Sequence, residues 1–103
     1  MIDLKELTHQ NTQDFIGRMF QIRFSDGNII DLKLERIDLL MEKHVSPKMK
    51  RDAFSMIFRG PREVILRQHT YALYNETLDG PLVVFLVAIA VEEEGIVYEA
   101  VFN

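Results

Sequence analysis

The sequence predicts a mainly β (α+β) fold, an N-terminal helix followed by a six-stranded antiparallel β-barrel or small sandwich. Three observations predict it. From residue 18 onward, apolar and polar residues alternate with a period of two in several separate runs. Turn-forming stretches divide these runs: SDGN at 25–28, ETLDGP at 76–81 and EEEG at 92–95. Helix-start signals cluster in the first 17 residues.

Each element has its own reason. In residues 1–17, Asp3 and Glu6 form a capping-box pattern, and Leu4 and Leu7 share a helical face. Thr8 or Thr12 is placed to start a second short turn, and Gly17 to end the segment. In MFQIRFS, Phe20, Ile22 and Phe24 alternate with Gln21, Arg23 and Ser25. In IIDLKLERI, Ile30, Leu32 and Leu34 alternate with Asp31, Lys33 and Glu35. The Asp26-Gly27 turn between them predicts a hairpin.

Residues 42–53 have no period, and they hold Pro47 together with Lys43, His44, Lys48, Lys50 and Arg51. They read as a long, solvated loop. FSMIFRG resumes the alternation and Pro61 ends it. PREVILRQ is a connector with room for one helical turn, and HTYALYN is a further strand. LVVFLVAIAV, residues 82–91, is apolar on both faces and predicts a strand buried on both sides. IVYEAVFN closes the fold. The 103 residues form one domain, a helical segment at 1–17 and a β-rich body at 18–103.

Composition bounds the function. Hydrophobic residues make up 48% and charged residues 27%, an ordinary globular balance that argues against disorder. The net charge of −4 disfavours nucleic acid, which calls for a basic face to replace phosphate counterions. The absence of cysteine excludes disulfides, thiolate catalysis and zinc–cysteine sites. The longest apolar run is far shorter than the roughly 20 residues of a membrane helix. The first ten residues hold no apolar stretch of the signal-peptide kind, so a soluble, cytoplasmic protein is expected.

The second half carries a resemblance. Phe54, Ser55, Phe58, Arg59, Gly60 and Pro61, then Leu66, Gln68, Thr70 and Tyr71, then Phe85, Leu86, Val87 and Ile89, and the whole of residues 98–103 match a recurrent pattern. Phe15, Gly17 and Phe20 match its first half more weakly. On these residues the chain resembles an uncharacterised bacterial family of small β-rich domains of unknown function. It departs at Met56, Arg67, His69 and Ala88, where the pattern has leucine, proline, glycine and proline. The last three departures bear on backbone geometry. The resemblance implies no activity. It implies an association of some relatives with phage-tail-like components.

No catalytic constellation emerges, so no enzyme, cofactor or metal is expected. His9, His44 and His69 lie on three different predicted elements, which reads as three ordinary histidines rather than a metal site. Ser55 lacks the Gly-x-Ser-x-Gly elbow of a hydrolase nucleophile. Arg59 shares a strand face with Ser55 and Ile57, and Glu99 has apolar neighbours on both sides. A carboxylate so placed needs a partner, and the guanidinium fork suits it, so Arg59 and Glu99 are expected to form a structural ion pair.

The expected function is that of a non-enzymatic structural or protein-interaction domain, a component of a larger assembly. Its partner is an unknown protein or a second copy of the chain, met through the basic loop at Lys48, Lys50 and Arg51. Gln68 is expected to satisfy backbone groups where the connector meets the next strand. The alternative is a small-ligand or anion-binding barrel with Arg59, Gln68, Tyr71 and Tyr98 around its mouth. A core filled by Phe20, Phe24, Phe58, Phe85 and Phe102 favours the first reading, and a polar-lined internal cavity the second. If one face of the 82–91 strand is exposed instead of buried, it becomes a dimer surface.

Overall fold

The fold is a closed six-stranded antiparallel barrel, described by a computed structural model over residues 7–40 and 53–102. Its strands are β1 (Met19–Arg23), β2 (Ile29–Leu39), β3 (Phe54–Gly60), β4 (His69–Tyr74), β5 (Leu82–Glu92) and β6 (Gly95–Phe102). They close in the order β1-β2-β3-β6-β5-β4, so β5 lies across the barrel from β2. A barrel rather than a sandwich is formed because β1 also pairs with β4, through Gln21–Tyr74 and Ile22–Leu73.

The period-two pattern decides which residues fill the interior. Phe20 and Ile22, Leu32 and Leu34, Phe54, Met56 and Phe58, Leu82, Val84 and Leu86, and Ile96, Tyr98, Ala100 and Phe102 all join one buried cluster. Phe20 meets Phe58 edge-on at 5.7 Å, and Phe54 stacks on Phe102 at 4.8 Å between ring centres. The β1–β2 hairpin forms as its sequence predicts, with Gly27 in the left-handed region at φ 92°.

The N-terminal helix is not found. Among the described residues, the segment holds a single 3-10 turn, Gln13–Phe15. Its polar side chains compete for the backbone. Asn11 Oδ1 accepts from the Thr8 amide, Thr8 Oγ1 accepts from the Asn11 amide, and Thr12 Oγ1 donates to the Thr8 carbonyl at 2.7 Å. The segment still covers one end of the barrel. Leu7 and Phe15 pack on the core, and with Thr12, Phe20 and Met56 they line a small void of about 20 Å³. The proposed capping pair Asp3 and Glu6 lies outside the described residues.

The connector 61–68 takes no helix. It closes the other end, with Leu66 buried beneath it. Two β-bulges shape the wall, one between Leu34 and Arg36 on β2 and one between Ala88 and Ala90 on β5.

The strand expected to be buried on both faces is not. Leu82, Val84 and Leu86 point inward, whereas Val83 and Phe85 point out and are exposed, Phe85 to 50%. The physical reason is closure. A barrel of single-layer wall has only one inside, so the outer side chains of β5 have no second layer to meet.

Candidate functional site

Three groupings of side chains stand out on this barrel, and each begins with a residue that the sequence singles out.

Arg59 is the first. It lies on the outer face of β3, opposite Lys33 on one side and Val97 on the other. It does pair with carboxylates, but Glu99 is not among them. Nε donates to Glu35 Oε1 at 2.9 Å, and Nη2 to Glu92 Oε1 at 2.8 Å. Nη1 is buried and lies 4.0 Å from Glu94 Oε2. The reason is geometric. Register places Glu99 opposite Ile57, whereas the β2 bulge brings Glu35 to Arg59. The guanidinium reaches Glu92 on β5 by crossing over Gly95, the first residue of β6. A Cβ on Gly95 would stand 3.1 Å from Arg59 Cγ and would collide with the Gly60 carbonyl. Gly95 also holds φ at 140°, which L side chains rarely adopt. The hydrogen bond from Arg59 is the main cause holding the Glu35 carboxyl below its usual range. The bonds from Glu35 and Glu92 raise the Arg59 guanidinium further above its ordinary value. Arg59 therefore joins β2, β3 and β5 across β6.

Tyr98 is the second. It is buried inside the barrel, where its hydroxyl accepts from the Leu66 amide at 2.8 Å and donates to the Val64 carbonyl at 3.5 Å. Burial is the main cause pushing its phenol up, against the opposing pull of the Leu66 hydrogen bond. Tyr71 is half-buried, and its hydroxyl donates to the Arg67 carbonyl at 2.8 Å. Gln68 is exposed and makes no side-chain hydrogen bond among the described residues. The mouth expected from Arg59, Gln68, Tyr71 and Tyr98 is thus not assembled. Arg59 is on the outer wall, and Tyr98 fills the interior. Of the phenylalanines expected in the core, Phe20, Phe58 and Phe102 are there, Phe24 is half-buried and Phe85 is outside. Lys48, Lys50 and Arg51 lie outside the described residues.

The outer face of β4, β5 and β6 is the third. Register sets Thr70 beside Phe85 and Ala72 beside Val83. Val87 faces Glu99, and Val101 on β6 is 51% exposed. The bulge adds Ile89, which is also exposed. The result is a shallow apolar surface with one carboxylate in it. Glu99 is half-buried, and no cation lies within ion-pair distance of it among the described residues. The two residues that flank it, Ile57 and Val97, are buried although they lie on the outer side of the wall.

Sequence reasoning missed Glu35, Glu92 and Gly95. The EEEG turn was visible, but the bulge that delivers Glu35 leaves no mark in an alternating strand. It also missed a cleft at the β1–β4 seam, beside Arg18 and Arg23.

Comparison with known proteins adds a family. Neither the curated proteins nor the solved structures contain a match. The family model described as a domain of unknown function, DUF6916, matches residues 7–102. That span takes in all six strands and the segment that covers the barrel end, and the chain belongs to the DUF6916 family of domains of unknown function.

Proposed function

We propose that this chain is a non-enzymatic structural and protein-interaction domain, a component of a larger assembly, and that it docks through the outer face of β4, β5 and β6. The observation that carries the reading is the exposed apolar face around Phe85, Val83 and Val101, with Glu99 beside it and in no ion pair among the described residues. Large exposed side chains grouped on one sheet face are the usual mark of a contact surface. A filled interior supports the same reading, because the side chains of all six strands occupy the space that a barrel ligand would take.

The face also describes its partner. A half-buried carboxylate amid apolar side chains costs free energy when a contact removes its water, unless the partner supplies a cation. The fitting partner is therefore a protein surface of apolar side chains with one lysine or arginine directed at Glu99. Site-specific photo-crosslinking from position 85, with Ile29 on the opposite side of the barrel as control, tests this. A product of twice the chain's mass identifies the partner as a second copy.

A further inference from the structure

The cleft at the β1–β4 seam has a different character from the apolar face. It has a volume of about 880 Å³, at the large end of ligand sites. Its floor is the outer face of β1, with Met19, Gln21 and Arg23 in a row, and the 75–80 turn forms one wall. The turn is held in place. Asn75 Nδ2 donates to the Met19 carbonyl at 2.9 Å, and Asn75 Oδ1 accepts from the Thr77 amide at 2.8 Å.

The two arginines of this cleft differ from Arg36 and Arg59, which are paired with carboxylates. Arg18 is held by neutral groups: Nε donates to the Asp14 carbonyl at 3.1 Å and Nη1 to Thr77 Oγ1 at 3.4 Å. Arg23 lies over the Tyr74 ring, 4.1 Å from its centre. Both guanidiniums are thus positioned with their charge uncompensated by any ion pair among the described residues. In a chain of net charge −4 with 16 acidic residues, neighbouring carboxylates were available and are not used. Asp31 and Glu76 also line the cleft, and neither carboxylate forms a salt bridge or hydrogen bond among the described residues. Gln21, half-buried between Asp31 and Tyr74 in the register, adds a side-chain amide that makes no hydrogen bond among the described residues.

A simple anion would be repelled by the two carboxylates, and a neutral molecule would leave the guanidiniums unanswered. Both needs are met by one chemistry. We propose that the cleft binds an acidic polyhydroxylated ligand, a sugar bearing a carboxylate or a phosphate. Its acid group accepts from one of the two guanidiniums, a second acid group or a hydroxyl oxygen accepts from the other, and its hydroxyls donate to Asp31, Glu76 and Gln21. The planar guanidinium of Arg23, already backed by Tyr74, offers its other face to the sugar ring. The site does not depend on the β4–β5–β6 docking face.

Titration of the isotope-labelled chain, followed by backbone amide shifts, tests the proposal with trigalacturonate, glucose 6-phosphate and neutral maltotriose. The expected result is saturable shifts confined to Arg18–Arg23 and Tyr74–Gly80 with an acidic probe, and none with maltotriose. The stronger of the two acidic probes tells whether the acid is a carboxylate or a phosphate. Arg18→Gln and Arg23→Gln are each expected to weaken that binding by about tenfold or more while the melting temperature holds. Asp31→Asn is expected to weaken it too, which a purely ionic contact would not show. Absence of shifts with both acidic probes overturns the proposal. So does equal binding of maltotriose, or undiminished binding by both arginine variants.

Discussion

Arg59 Nη2 lies 2.8 Å from Glu92 Oε1, although a whole strand, β6, runs between the strands that carry them. The contact exists because Gly95 leaves the crossing point open. A charge pair, a bulge and a glycine thus act together at one corner of the barrel. The pair energies are modest, since Arg59 is 21% exposed, Glu35 26% and Glu92 46%.

A double-mutant cycle separates the partners. Arg59→Met with Glu35→Gln is expected to give a coupling of about 1 kcal/mol in urea melts. The Arg59–Glu92 cycle should give a few tenths of a kcal/mol, discounted for solvent screening. The Arg59–Glu99 cycle should give about zero, because the two side chains are not paired. A coupling to Glu99 as large as that to Glu35 would contradict the geometry.

Glycine at position 95 should matter more than at another left-handed position. Gly95→Ala meets the Gly60 carbonyl and Arg59 Cγ and is expected to cost about 3 kcal/mol or more. Gly27→Ala, at φ 92° with nothing within 4 Å of its Cβ, should cost about 1 kcal/mol. Chemical denaturation of the two variants side by side gives the comparison, and equal losses would rule out the crossing-point account.

The Glu35 carboxyl titrates below its ordinary value of 4.5 when folded, chiefly through its hydrogen bond from Arg59. A lowered folded pKa gives stability that is present above the unfolded value and is lost as pH falls through the folded one. The parent should therefore lose melting temperature more steeply than Glu35→Gln as pH falls below 4.5, and the two should run parallel at neutral pH. Parallel curves throughout the acid range would show that the pair carries no stability.

Tyr98→Phe leaves the Leu66 amide without its buried acceptor. The expected cost is about 1–2 kcal/mol. Hydrogen exchange at Leu66 should quicken more than at strand centres such as Phe58, because the hydroxyl ties the connector across the barrel end. Uniform quickening would mean that Tyr98 acts through packing alone.

Much of this fold was legible in the residues. The alternation at Phe20-Ile22 and Leu32-Leu34 and the Asp26-Gly27 turn dictate the hairpin, and the six strands follow the same logic. The N-terminal segment was misjudged because Thr8, Asn11 and Thr12 satisfy the backbone themselves, which a capping pattern read from Asp3 and Glu6 does not register. Arg59 was singled out for an ion pair and assigned the wrong carboxylate, since its contacts are Glu35 and Glu92. Period-two reasoning places Glu99 and Arg59 on one face, but only the bulge between Leu34 and Arg36 decides that Glu35 is the neighbour. The exposed face of β5 was hidden for a related reason. A run apolar on both faces looks like a central strand, and nothing in Val83 or Phe85 tells whether a second layer covers them. The cleft beside Arg18 and Arg23 joins residues more than 50 positions apart, across a seam of two register pairs, and no local pattern announces it.

The central claim is that the chain docks through its β4–β5–β6 face onto a partner that supplies a cation. The most direct measurement places a photo-crosslinking residue at Phe85, at Val101 and, as control, at Ile29, which is 55% exposed on β2. Crosslinks are then read in cells that make the protein, in Glu99, Glu99→Gln and Glu99→Lys backgrounds. The account predicts one common partner from positions 85 and 101 and none from 29, with the crosslink weakened by Glu99→Gln and abolished by Glu99→Lys. Equal crosslinking from position 29, or a crosslink indifferent to Glu99→Lys, would contradict it.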